Sequence, residues 1–97
     1  MNFLIGQKLV AQKEYGKALE IFLNLNKSNK KNDKILFYLG LICFELNNFD
    51  RSNYYYNEFL KKNPNSVTAL YNFALLKQSM GEIKFAKFIY NKLIELD

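Results

Sequence analysis

The chain has 97 residues, of which 49% are hydrophobic and 16% aromatic, and its formal net charge is +5. This length allows one compact domain, residues 1–97, and the composition is too apolar for a disordered segment. Histidine is absent and Cys43 is the single cysteine, which excludes a histidine-based triad, a Cys/His zinc site and an intramolecular disulfide within the chain. We therefore expect no metal, no cofactor and a reducing, cytoplasmic compartment.

The positive charge comes almost entirely from lysine, because Arg51 is the single arginine. A basic surface can bind nucleic acid or an anionic membrane. Arginine is the residue favoured for bidentate phosphate contacts, so its scarcity argues against nucleic acid as a partner. The N-terminal apolar run is too short for a signal peptide or a membrane span, and no membrane is expected as a partner either.

Apolar residues recur at helical spacing through the whole chain, and one proline and four glycines are too few for a turn-rich β domain. The sequence therefore predicts an all-α fold. The first predicted helix covers residues 2–13, and a break at 14–16 separates it from a second helix that ends near Lys27.

A polar segment leads to the third predicted helix, residues 34–46, with Asp33 as its N-cap. After a turn at 47–48, the fourth predicted helix covers residues 50–62. It ends before Pro64, because proline disfavours a helical conformation in the residue that precedes it.

Ser66 is predicted to cap the fifth helix, which extends to Met80. Gly81 supplies the next turn, since glycine adopts left-handed backbone conformations at little cost. The sixth predicted helix covers residues 83–96. Six helices of similar length with short turns between them predict three antiparallel pairs.

The sequence repeats itself with a period of thirty-four residues, so that small residues recur at two positions of each copy and aromatic residues at a third. The three equivalent sets are Gly6, Gly40 and Ala74; Ala18, Ser52 and Ala86; and Phe22, Tyr56 and Tyr90. Such a period predicts stacked helix pairs, at residues 1–32, 33–66 and 67–97, none of which buries its apolar face alone.

This helix–turn–helix unit resembles the tetratricopeptide repeat, and the central copy matches that family's pattern at eight positions. The matching residues are Leu36, Leu39, Gly40, Phe49, Ser52, Tyr56, Phe59 and Pro64. The flanking copies keep the same phase, so the resemblance covers three consecutive repeats. It implies a right-handed superhelical solenoid of three antiparallel helix pairs.

The third copy departs from the family pattern, because Lys77 stands where an aromatic residue is usual, and Cys43 and Leu9 occupy that position in the other two copies. In addition, no polar extra helix follows it to cover the last pair, as solenoids normally require. The chain is therefore expected either to belong to a longer array or to pair with a second copy through its terminal helices.

The resemblance also implies that the first helix of each pair lines a concave groove. The groove residues predicted to bind a partner are Phe37, Tyr38, Leu41, Phe44, Glu45, Tyr71, Asn72 and Leu75. Several of these rings could instead pack between neighbouring first helices. The basic clamp with which well-known members bind a chaperone's terminal carboxylate is missing, so chaperone tails are not expected as ligands.

The resemblance therefore implies a non-catalytic protein–protein interaction module that binds a protein or peptide, either as a helix or as an extended segment. One alternative is a substrate-presenting segment of a larger enzyme, for example a transferase. Another is a self-associating scaffold that forms homo-oligomers.

The run Tyr54-Tyr55-Tyr56 is typical of a stacking surface for bases, but consecutive helical residues point in different directions. We predict Tyr56 in the core, Tyr55 partly buried and Tyr54 facing outward. Cys43 is predicted to be a small buried apolar residue rather than a nucleophile.

Overall fold

The computed structural model of the protein describes residues 2–29 and 31–96, so Met1, Lys30 and Asp97 lie outside the described ranges. Within those ranges the chain forms six α-helices and no strand. The helices are α1 (Phe3–Ala11), α2 (Tyr15–Ser28), α3 (Asp33–Glu45), α4 (Phe49–Lys62), α5 (Val67–Ser79) and α6 (Ile83–Leu96). The all-α prediction is confirmed.

The helices stack in the order of the chain, because each one packs against the helix before it and the helix after it. The first helices of the second and third pairs, α3 and α5, also contact each other directly. The result is a helical-repeat solenoid of three pairs that measures 38 × 24 × 20 Å. The predicted solenoid architecture is therefore confirmed.

The turns within the three pairs share one backbone geometry that follows the repeat. Lys13, Asn47 and Gly81 have positive φ angles of 61°, 63° and 82°. In the first turn the Glu14 N–H donates to the Leu9 carbonyl at 2.8 Å, and the equivalent bonds in the other two turns have the same length. This is the left-handed C-terminal turn that glycine favours, although only the third pair has glycine there.

The turn between α1 and α2 corrects a prediction. The sequence-based break at 14–16 is wrong, because Tyr15 and Gly16 already belong to α2 and the chain turns at Lys13. The physical reason is that the left-handed position is held by the backbone hydrogen bonds of the turn, which a lysine can satisfy at some cost in strain.

Of the two predicted helix caps, the one for α3 is wrong and the one for α5 is confirmed. Asn32, and not Asp33, caps α3, since its Oδ1 accepts a hydrogen bond from the Lys34 N–H at 3.0 Å. The prediction of Ser66 as the cap of α5 is confirmed, because its Oγ accepts from the Ala69 N–H at 3.3 Å.

Small residues let the two helices of a pair approach each other, as the repeat predicts. A Cβ atom added to Gly6 would lie 2.7 Å from the ring of Phe22, and one added to Gly40 would lie 3.1 Å from the ring of Tyr56. The buried Ser52 joins the second pair, because its hydroxyl donates to the Gly40 carbonyl at 2.7 Å.

The close approach at Gly6 predicts opposite effects of one substitution at two helical glycines. Gly16→Ala should stabilise the fold by about 0.5–1 kcal/mol, since no atom outside its own helix turn lies within 4 Å of the new methyl group. Gly6→Ala should destabilise it by about 1–3 kcal/mol, because the new methyl group would force the fully buried ring of Phe22 to shift within the core. Urea unfolding of both variants measures the difference, and equal stabilisation would contradict the packing.

The strained turn at Lys13 gives a second stability prediction. Lys13→Gly should stabilise the fold by about 1 kcal/mol, because glycine adopts the left-handed conformation without steric conflict. The control is Lys17→Gly, an exposed position inside α2, which should lose about 1 kcal/mol. Thermal unfolding distinguishes the two, and a loss of stability in both variants would contradict the role of the turn.

Candidate interaction groove

A small depression of about 90 Å³ lies between α3 and α5 on the side formed by the first helices. Five of the eight predicted groove residues line it. The lining residues are Leu41, Phe44, Glu45, Tyr56, Asn72 and Leu75. The helical spacing within α3 and the repeat offset between α3 and α5 bring these side chains together.

Tyr56 belongs to α4 and was not among the predicted groove residues. It is 2% exposed, and its hydroxyl accepts a hydrogen bond from the Asn72 amide nitrogen at 3.3 Å. Burial raises the pKa of this phenol well above its usual value, so the hydroxyl keeps its proton. The lining of the depression therefore combines aliphatic and aromatic side chains with Tyr56 and Asn72, whose hydroxyl and amide bond to each other.

Two predicted groove residues lie beside the depression and make contacts between helix pairs. The ring of Tyr38 stacks on Phe22 of the first pair, with centroids 5.0 Å apart and an interplanar angle of 9°. Its hydroxyl accepts from Gln7 Nε2 at 3.1 Å. Phe37 lies 5.6 Å from Phe59 and 6.0 Å from Tyr56, measured between ring centroids. Both side chains are half-buried, so they contribute to packing as well as to the surface.

Tyr71 is separated from the depression. It is 50% exposed and lies 6.4 Å from the ring of Tyr90, in a wider apolar recess of about 440 Å³ on the open side of the third pair. That recess, called the end surface below, is lined by Val67, Tyr71, Tyr90, Leu93, Ile94 and Leu96. The structure thus divides the predicted residues between two places.

The end surface resembles in composition the contact between two successive helix pairs, called an internal junction, but no described helix packs on it. Its Tyr90 is half-buried, whereas the equivalent Phe22 and Tyr56 are 0% and 2% exposed beneath the next pair. Ile94 is 73% exposed, although the equivalent Leu60 is partly buried. These differences mark the positions that a further helix would cover.

Lys77, the departure from the family pattern, is buried at 5% exposure. Its Nζ lies 3.4 Å from a carboxylate oxygen of Glu82 and 4.7 Å from the ring centroid of Phe85. A second ring, Phe73, lies 5.1 Å away. The lysine therefore occupies the aromatic position through an ion pair and cation–π contacts within the third pair.

The remaining predictions about single residues concern the tyrosine run and the cysteine. Tyr54, Tyr55 and Tyr56 are 59%, 7% and 2% exposed, so the three rings do not form one stacking surface. Cys43 is buried, and burial raises the pKa of its thiol, which disfavours the reactive thiolate.

Residues 2–29 and 31–96 contain neither a metal-binding cluster nor a helix suited to cross a membrane. No three His, Cys, Asp or Glu side chains in this part of the chain gather closely enough to hold a metal ion. Among the described helices, none combines the length and the hydropathy needed to cross a bilayer.

The central pair has a recognisable counterpart among protein families. The tetratricopeptide repeat family matches residues 33–66. Over its length the chain is also similar to the uncharacterized protein ycf37 of Pyropia yezoensis, with 29% identity over 105 residues. The match covers 99% of this chain and 59% of the relative, so the chain spans less than two thirds of the relative's length.

Solved structures of MamA have the same fold. A mutant form of MamA has a TM-score of 0.90 at 24% identity, and the match covers 98% of this chain and 69% of that chain. A structure of MamA AMB-1 has a TM-score of 0.87 at 25% identity, with coverage of 95% and 54%. The likeness extends over all three helix pairs.

Proposed function

We propose that this chain, whose residues 33–66 match the tetratricopeptide repeat family, is a non-catalytic interaction module that binds a helix or peptide of a protein partner in the depression between α3 and α5. The family's fold is that of protein–protein interaction modules. The observation that supports the specific site is the convergence of Leu41, Phe44 and Leu75 around a recess that is also lined by the hydrogen-bonded pair Tyr56 and Asn72.

The physical basis for binding is apolar burial on a largely preformed surface. The side chains of Leu41, Phe44 and Leu75 are each half-buried, so their conformations are already restricted before a partner arrives. A recess of about 90 Å³ has room for one aliphatic side chain of the partner. Burying such a side chain contributes about 1.5–3 kcal/mol, and little ordering of the groove is needed.

No catalytic role is proposed for the polar groups around the depression. The protonated Tyr56 hydroxyl and the Asn72 amide bond to each other, and no base stands within hydrogen-bond distance of the Tyr56 hydroxyl among the described residues. Such a pair can orient a ligand through hydrogen bonds, whereas general acid–base chemistry requires a group that titrates near neutral pH.

The groove assignment predicts the effect of a double substitution. Peptides selected from a displayed random library on the wild-type protein should lose at least about tenfold in affinity for the Leu41→Ala/Leu75→Ala variant, because two apolar contacts disappear. Fluorescence anisotropy measures the dissociation constants, and thermal unfolding verifies that the variant is folded.

The matched control removes two aliphatic side chains outside the groove. Ile94→Ala/Leu96→Ala changes only the end surface and should leave the affinity of the selected peptides unchanged. Retained affinity in a folded Leu41→Ala/Leu75→Ala variant would sink the groove assignment. Affinity that is lost in Ile94→Ala/Leu96→Ala and kept in Leu41→Ala/Leu75→Ala would indicate that the peptides bind at the end surface.

A second candidate function, self-association, is favoured by the exposed residues at the two ends of the solenoid. Leu4 is 62% exposed at the position equivalent to Tyr38, which stacks on Phe22 at the first junction. Tyr90, at the other end, is equivalent to Phe22. A head-to-tail contact between two copies would therefore resemble an internal junction, and such contacts can continue into larger assemblies.

This contact should be weak, because Lys8 occupies the position of the buried Ile42 in the corresponding junction. Sedimentation at high concentration is expected to show assemblies larger than a monomer, and Ile94→Glu should abolish them by placing a charge in the contact. The control Phe88→Glu alters a residue that is 68% exposed outside the end surface and should have no effect. A wild-type protein that remains monomeric would eliminate this candidate.

A further inference from the structure

One face of α3 carries opposite charges at its two ends and apolar side chains between them. Lys34 lies in the first turn, and Glu45 is the last residue of the helix. Between them Phe37, Leu41 and Phe44 follow at spacings of three and four residues, which places them on the same helical face. Phe44 and Glu45 both line the depression.

These two charges oppose the preference of their own helix. The N-terminus of a helix carries a partial positive charge and its C-terminus a partial negative charge, so a lysine in the first turn and a glutamate in the last are both unfavourable. Their charges add to the helix dipole and do not offset it. The face of α3 therefore presents a positive end and a negative end to whatever lies against it.

The two charges are also free of partners within the described chain. The ion pairs found in residues 2–29 and 31–96 are Lys61–Glu58, Lys62–Asp33 and Lys77–Glu82. Neither Lys34 nor Glu45 takes part in them, and both side chains are exposed. Asp33, the acidic residue that would suit the first turn of α3, is engaged by Lys62 at 3.4 Å.

The neighbouring first helices do not repeat these charges. The equivalent of Lys34 in α5 is Thr68, and the equivalents of Glu45 are Ala11 and Ser79, which are uncharged. The two charged ends therefore belong to α3 alone, next to the depression. Over the eleven residue steps from Lys34 to Glu45 a helix rises about 16 Å, which corresponds to about three turns.

Building on the proposed groove function, we propose that the partner segment is an amphipathic helix of about three turns with opposite charges at its two ends. Its apolar stripe packs against Phe37, Leu41 and Phe44, with one aliphatic side chain in the depression. Its carboxylate lies at Lys34 and its ammonium or guanidinium group lies at Glu45. A helix is the form that presents side chains at the same spacing and over the same length as α3.

Three synthetic helical peptides that share one apolar stripe test the requirement for opposite end charges, which we call the charge rule. The first carries a glutamate at one end and a lysine at the other, the second carries glutamate at both ends, and the third carries lysine at both ends. The wild-type protein should bind the mixed peptide about three- to tenfold more tightly than either of the others, as expected for exposed charge pairs that change from attraction to repulsion. Fluorescence anisotropy at low and high salt measures the preference, which should weaken at high salt.

Reversing one charge of α3 should transfer the preference in a defined direction. Glu45→Lys should favour the peptide with two glutamates, and Lys34→Glu should favour the peptide with two lysines. Both substitutions suit the dipole of α3 better than the natural residues do, so reduced stability is not expected to explain lost binding. The matched controls Glu20→Lys and Lys17→Glu change exposed charges on α2 and should leave the preference with the mixed peptide.

The outcomes separate this proposal from the groove assignment. If all three peptides bind equally and Leu41→Ala/Leu75→Ala abolishes their binding, the charge rule is overturned and the groove assignment stands. Failure of all three peptides to bind, or binding that the groove substitutions do not affect, would overturn the rule together with the use of this groove by helices. If the α2 control variants change their peptide preference as much as the α3 variants do, the preference depends only on net charge, and the charge rule is overturned as well.

Discussion

The solenoid depends on one aromatic ring at each junction that makes two contacts. Phe22 fits beneath Gly6 within its own pair and stacks on Tyr38 of the next pair. Tyr56 repeats the arrangement beneath Gly40. Because the same ring fills the gap inside a pair and the gap between pairs, the geometry within a pair and the angle to the next pair are fixed together. Local contacts of this kind are sufficient to define an extended structure, since each unit contacts only its neighbours.

Much of this architecture could be predicted, because the period of thirty-four residues carries the same information three times. Helix number, pairing and the small residues beneath the rings follow from it. The turn at Lys13 was missed since a lysine carries no local signal for a left-handed backbone, although its alignment with Gly81 contains that signal. The cap of α3 was assigned one residue late because Asn32 and Asp33 are nearly equivalent capping residues, and only the geometry of the chain distinguishes them.

The candidate site could be predicted less completely. Helical spacing brings Leu41, Phe44 and Leu75 together, but spacing alone does not tell which rings are used for packing between pairs. Tyr56 was missed because the resemblance assigns the groove to first helices, whereas this residue of a second helix also lines the depression between them. Tyr71 was included because its helix position is equivalent to Phe37, yet its side chain is half-exposed and lines the end surface.

The single buried cysteine makes local opening of the core measurable in the unmodified protein. Cys43 is 1% exposed and belongs to the core shared by the first and second pairs. A thiol reagent can reach it only after the packing around it opens, and no other cysteine contributes to the signal. Labelling rates in the native protein therefore measure the opening free energy of this part of the core, whereas denaturant unfolding measures the stability of the whole array. The difference between the free energy of local opening and the free energy of global unfolding reports how cooperatively the array unfolds. The natural sequence allows this measurement without an introduced cysteine.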